Sequence, residues 1–403
     1  MKNSKKLKSF LILCLAIILL RTPLLLTGSS TTLKVQTSIN LINYSNSSPT
    51  ITPLWNHSLG DDQWVTALEI SSDSNYIVAI YHTLNAGFAE NGTIILFNNS
   101  LPEIKNLIWN YSILNSFYSV AISANGSCIV AGGGYYDKKV HFFDYLNPIP
   151  IWNYSTGGWV YDVWISDDGQ FIGAASESKK VFLFNKTGYP PFWGASISGL
   201  ALRVEASSNA SYIAVTDNAH KLHLFNKSSS LPEWTYSFTS DMATALSMSA
   251  NGDYIVTGSE GVFLFNKNSS IPIWVYNTSQ YIRSVKITPD GNHIVAGGWD
   301  NRVYLFNRLD STPIWSYETD GILGAVDITD NGEYIVAQSS DDYVYLFTNT
   351  SSTPIWSYKL DGVQTGSYDY RLDISPDGKY IVAGGIHHIY LFENEFATSW
   401  ITI

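Results

Sequence analysis

The chain has 403 residues, a formal net charge of −11 and an aromatic content of 14%. Its first 28 residues carry five cations (Lys2, Lys5, Lys6, Lys8, Arg21) and no acid, so the remainder holds 18 bases against 34 acids, a net of −16. A body this acidic lacks the Lys/Arg footprint that phosphate contacts demand, which excludes nucleic acid as a partner. Of the two cysteines, Cys14 lies in the N-terminal apolar run and Cys128 stands alone in a strand pattern, so no disulfide framework forms and Cys128 is expected to be a packed thiol.

Taken in order, residues 2–8 form a basic segment and residues 10–20 an apolar core, with Gly28-Ser29-Ser30 supplying small residues for cleavage. This reads as a secretory signal peptide over residues 1–28. The alternative is an uncleaved membrane anchor, although the span to Leu26 contains Arg21 and Pro23 and falls short of the roughly 20 residues that cross a bilayer. Either reading places the rest of the chain outside the cytoplasmic membrane, secreted or at the cell surface, with membrane contact only through this segment if it is retained. Residues 29–52 are rich in Ser, Thr and Asn without sustained periodicity, the composition of a linker.

From residue 53 onward one unit recurs, seen most clearly in residues 281–317. Three β-patterned runs (282–287, 293–297 and 302–306) are separated by Pro289-Asp290-Gly291 and Trp299-Asp300-Asn301, and a fourth follows Pro313 around Trp315. Asp-Gly between alternating apolar runs signals a tight hairpin. Two rulers count the units. Tryptophans fall at 55, 109, 152, 193, 234, 274, 315 and 356, and an apolar pair closes each third run, from Leu96-Phe97 to Leu391-Phe392. Both give eight. Four strands in about 41 residues make one propeller blade, so residues 53–403 are expected to form a single all-β domain, an eight-bladed β-propeller of four-stranded antiparallel blades. Its ring is expected to close with Trp55 and its neighbours as the outer strand of the last blade, in preference to the C-terminal strand around Trp400.

The run Asp300-Asn301-Arg302-Val303-Tyr304-Leu305-Phe306 resembles the end of a WD-repeat, with Phe in place of Trp, and Asp341 and Asp137 hold the corresponding place before Phe347 and Phe143. The stretch from Leu305 through Trp315 is similar to the tryptophan-docking segment of quinoprotein-like (PQQ-like) propellers. Both resemblances imply the fold. They cover residues 53–403, are specific for fold, and imply much less about function.

For chemistry the sequence offers little. No metal-ligand spacing, nucleophile elbow, phosphate loop or dinucleotide fingerprint occurs, so no catalytic residue, metal or cofactor is expected. Sequons at Asn98, Asn185, Asn226, Asn268 and Asn349 fall in turns after the third strand, and those at Asn110 and Asn153 follow the outer-strand tryptophan; these seven are candidate N-glycosylation sites. The repeat is broken at its two ends, by an insertion over residues 81–91 and a lengthened connection over 361–370. Insertions in repeat proteins gather on one face, often the binding face. A binding patch is therefore expected at Phe88, Glu90, Tyr368, Asp369, Tyr370 and His387, engaging a protein or surface glycan, on a monomer. The principal expectation is a non-catalytic scaffold; the alternative is a quinoprotein- or lactonase-like enzyme using acids at the central channel.

Overall fold

The turns between first and second strands set the chain's reversals. Gly126, Gly169, Gly252, Gly291, Gly332 and Gly378 have φ between 68° and 75°, a region open to glycine at little cost. The two turns without glycine adopt the same backbone with Ser74 (φ 61°) and Ala210 (φ 59°). What all eight share is a Ser or Thr whose hydroxyl bonds the side-chain oxygen of the Asp or Asn two residues on, as from Ser71 to Asp73 and from Ser375 to Asp377 (both 2.6 Å).

In the computed structural model, which describes residues 51–84, 90–102, 104–239, 242–362 and 371–397, these hairpins build eight four-stranded antiparallel sheets. Blades 1 to 7 span 63–114, 117–155, 160–196, 201–237, 245–277, 282–318 and 323–359. In blade 6 the strands are Ile282–Ile287, His293–Gly298, Arg302–Asn307 and Trp315–Glu318, within one residue of the sequence reading where that reading set limits. The last blade takes three strands from Leu372 to Glu393 and its outer strand, Trp55–Ser58, from the start of the domain, with Trp55 opposite Leu391. The expected N-terminal closure is therefore observed. The leader, most of the linker and Trp400 lie outside the described residues.

The apolar pair ending each third strand explains how blades stack. Successive side chains of a strand face opposite ways, so Leu305 enters the cluster shared with blade 7 while Phe306 enters the one shared with blade 5. Eight such clusters occur, one at each junction, including blade 8 against blade 1. The outer-strand tryptophan pairs with that Leu position and so faces forward, onto the phenylalanine of the following blade. All eight contacts are made, with ring centroids 5.3–5.8 Å apart, and Trp55 on Phe97 (5.3 Å) completes the ring. Six of these indoles also donate to a backbone carbonyl two residues past that phenylalanine, from Trp109 to Tyr145 (2.9 Å) through Trp315 to Asn349 (3.2 Å).

Candidate binding face and central channel

Antiparallel order sends both kinds of hairpin turn that flank each third strand to opposite ends of a blade. First-to-second and third-to-fourth turns share one end, here the turn face. Second-to-third turns and the connections between blades share the other, the loop face.

The eight inner strands surround a channel containing a cavity of about 310 Å³. One register position, just before each inner strand's last residue, carries Glu69, Glu205, Lys286, Asp327 and Asp373. Three of these side chains latch neighbouring blades through backbone amides. Glu69 accepts from the Ile122 amide (3.0 Å), Asp327 from Ile374 (3.0 Å) and Asp373 from Ile70 (2.8 Å). Ser119, Ser247 and Ser284 do the same for Val163, Ile287 and Val326, and Asp162 for Val204 (3.0 Å). Between blades 4 and 5 the link runs through Arg203, which donates to the Thr244 carbonyl (2.9 Å). Every inner junction thus has a side-chain link.

Crowding acids in this channel raises their proton affinity. Burial pushes Glu69 up to about 7 and Glu205 up to about 8, with neighbouring acids adding to the effect. Burial also lifts Asp373 well above the usual carboxylate range, helped by the charge of Asp327 and a hydrogen bond to it. Lys286 is the lone base among the charged residues lining the cavity, its Nζ 3.9 Å from Asp327 Oδ1, and the Asp327 charge raises its pKa further. The arrangement can hold protons on carboxylates at neutral pH. Sequence reading missed these groups; aligning the inner strands by their final residue would have exposed a charge in five of eight.

Toward the turn face, backbone hydrogen bonds join successive turns around the channel mouth, from Asp73 N to Ala124 O through Ala250 N to Pro289 O, and again from Asp330 N to Pro376 O. The two steps without such a bond start from Pro289 and Pro376, which have no N–H to give.

The loop face carries an aromatic group on blades 2 and 3. Tyr118 stacks on Trp159 (5.5 Å, 9°), Tyr161 and Tyr135 lie against Trp159 (5.8 and 5.7 Å), and Tyr136 meets Tyr135 edge-on (4.7 Å). Tyr135 and Tyr136 are 51% and 79% exposed. Trp299, 47% exposed, sits against Tyr281 on blade 6 at the same face.

Of the expected seam patch, Phe88, Tyr368, Asp369 and Tyr370 lie outside the described residues. Glu90 is placed by its backbone, opposite Leu84 at the end of an extended hairpin whose strands, Tyr76–Leu84 and Glu90–Asn98, absorb the insertion in blade 1. His387 sits in the second-to-third turn of blade 8. Its amide donates to Asp361 (2.9 Å), which also bonds His388 (2.7 Å), and its ring lies 3.2 Å from the Gln63 carbonyl of blade 1. His387 therefore ties the seam together. The sequon asparagines in the third-to-fourth turns have a structural task as well. Asn98, Asn185 and Asn226 each accept from the hydroxyl of the sequon Ser or Thr (2.5, 2.5 and 2.7 Å) and from its amide. Asn110, Asn153 and Asn268 are exposed and Asn349 is half-buried. Cys128 is 1% exposed, as expected of a packed thiol.

Among the described residues, no group of three or more His, Cys, Asp or Glu has the geometry to hold a metal ion. No curated protein matches the chain. Residues 269–307 match the family model described as WD domain, G-beta repeat. The matched segment runs from the outer strand of blade 5 through the third strand of blade 6, so the repeat in sequence is offset by one strand from the blade in space. The fold is thus an eight-bladed propeller, and the segment 269–307 within it is similar to a WD repeat.

Proposed function

We propose that the protein is a non-catalytic binding scaffold displayed outside the cytoplasmic membrane, which engages a protein or surface-glycan partner through its loop face. WD-repeat propellers are typically interaction scaffolds, which fits this reading. The observation that carries it is the cluster of Tyr118, Tyr135, Tyr136, Trp159 and Tyr161. Exposed aromatic rings next to polar groups are what recognition surfaces use, because they bring large contact area at low entropic cost. The seam patch would extend this surface across blades 8 and 1. Pull-down from the native cell envelope tests it. A partner retained by the wild type should be lost with Tyr136→Ala/Trp159→Ala and kept with Leu309→Ala on the turn face. Equal retention by both variants overturns the assignment.

One observation favours the second reading, a propeller enzyme of quinoprotein- or lactonase-like type. Glu69 and Glu205, whose proton affinity burial raises into the neutral range, are the kind of groups that general acid catalysis uses. That reading requires an activity in purified protein that Glu205→Gln abolishes and Tyr136→Ala leaves unchanged.

A further inference from the structure

Exposed aliphatic side chains on this propeller are unevenly placed. Blades 1 to 6 each present a large apolar side chain in the third-to-fourth turn: Leu101, Leu146, Tyr189, Leu231, Ile271 and Leu309, between 64% and 79% exposed. Exposed large hydrophobics on the loop face are mostly aromatic, Tyr135, Tyr136, Tyr281 and Trp299, with Leu114 at the end of blade 1 the one aliphatic among the described residues. Single exposed apolar residues need no explanation. One at the same end of six successive blades does, because each costs solvation and their shared end makes one apolar crown.

We propose that the turn face is a lipid-contacting surface, its crown of turn side chains entering the outer layer of a bilayer. Two features select a bilayer over other occupants. The crown is spread over six blades, so only an extended flat surface meets all its members at once; a peptide or small ligand would meet one or two. The chain also enters the domain at this face. Trp55, at the start of the closing strand, stands opposite Leu391 near the third-to-fourth end of blade 8, and the Leu54 amide bonds the Leu391 carbonyl (2.7 Å). In the anchored alternative, where residues 1–28 are retained, the apolar segment 10–26 is joined through residues 27–54 to the face that bears the crown. The face carries both signs of charge, Asp144, Asp168 and Asp310 beside Lys186, Lys227 and Arg308, with Asp253 paired to Lys267 (2.8 Å), so it has no basic footprint for anionic lipid and neutral zwitterionic lipid is the matching surface. This goes beyond the partner reading and points the loop-face aromatics away from the membrane.

The test uses the full chain carrying Cys14→Ser in phosphatidylcholine vesicles, with an environment-sensitive fluorophore on Ile271→Cys and, in a second preparation, on Tyr281→Cys at the loop face. Emission from position 271 should shift to the blue and be quenched by brominated phosphatidylcholine, and emission from position 281 should do neither. Adding Leu146→Asp, Leu231→Asp and Leu309→Asp should remove at least two-thirds of the shift at 271, while the melting temperature, read in parallel, shows that the fold persists. No shift at 271, or equal shifts at both positions, overturns the proposal. So does a shift at 271 that needs no vesicles and grows with protein concentration, since that outcome identifies a second copy of this chain as the occupant. Partner capture through the loop face is read separately, so either idea can fail alone.

Discussion

At the scale of single residues, the docked tryptophans separate packing from hydrogen bonding. Trp274 rests on Phe306 (5.6 Å) and donates to the Arg308 carbonyl (2.8 Å). Trp356 rests on Phe392 at the same 5.6 Å and is 2% exposed, but its buried Nε1 has no partner among the described residues. Replacement by Phe keeps most of the ring and removes the donor. Trp274→Phe leaves a carbonyl short of its donor, at a cost of about 1–2 kcal/mol, whereas Trp356→Phe removes an unpaired buried N–H and should cost less or stabilise. Chemical denaturation of the two variants compares them directly. A larger loss for Trp356→Phe would mean that its indole is bonded in solution. The sequons bear on this scale too. Asn and Ser or Thr recur at this place in the turn because the hydroxyl and amide close it on the Asn oxygen, and Asp144 and Asn307 close equivalent turns without a sequon. Recurrence there reflects turn chemistry. Peptide mass spectrometry of natively made protein should therefore find glycan first at the exposed outer-strand sites Asn110 and Asn153.

At the scale of elements, the closing strand does for blade 8 what local sequence does elsewhere. Without Trp55–Ser58 the strand His388–Glu393 would show a bare edge, and Phe97 would lose its tryptophan cover. Deleting residues 29–60 should lower the melting temperature sharply and promote self-association, read by calorimetry and light scattering; an unchanged melt would show that the C-terminal strand can replace it. The closure was legible in sequence because Pro53-Leu54-Trp55 keeps the pattern of Pro313-Ile314-Trp315. Strand limits in blade 6 were legible because turn dipeptides and the Leu-Phe pair bracket each run. The channel was not. Glu69, Lys286 and Asp373 lie in separate short strands, and their meeting depends on the ring bringing inner strands 40 or more residues apart into one circle. His387 lies at the seam, where the sequence could not show that its amide and ring engage Asp361 and Gln63.

At the scale of the whole molecule, the inner ring makes stability a function of pH. Glu69 and Glu205 have folded-state pKa values of about 7 and about 8, above the ordinary glutamate value that the unfolded chain would show. Between that ordinary value and about 8 the folded protein holds protons that the unfolded chain has released, so stability falls as pH rises through this window and levels off above it. The raised Asp162, Asp330 and Asp373 act with the same sign. Several groups act elsewhere. His57, lowered by burial and by the nearby Lys105 and His388 charges, makes stability rise with pH, but only up to its ordinary value of 6.5. The depressed Asp168, Asp217 and Asp290 contribute stability that is lost only in acid, below the ordinary aspartate value. Lys286, raised, matters only in strong base. Comparing pH 6.5 with pH 8.5 therefore isolates the channel acids, and the loss in unfolding free energy across that step should be on the order of 2 kcal/mol. Glu205→Gln carries no proton to lose and should remove the larger part of the slope while sparing the fold. Stability that rises from pH 6.5 to 8.5, or a slope unchanged in Glu205→Gln, would place the protons on groups other than this ring.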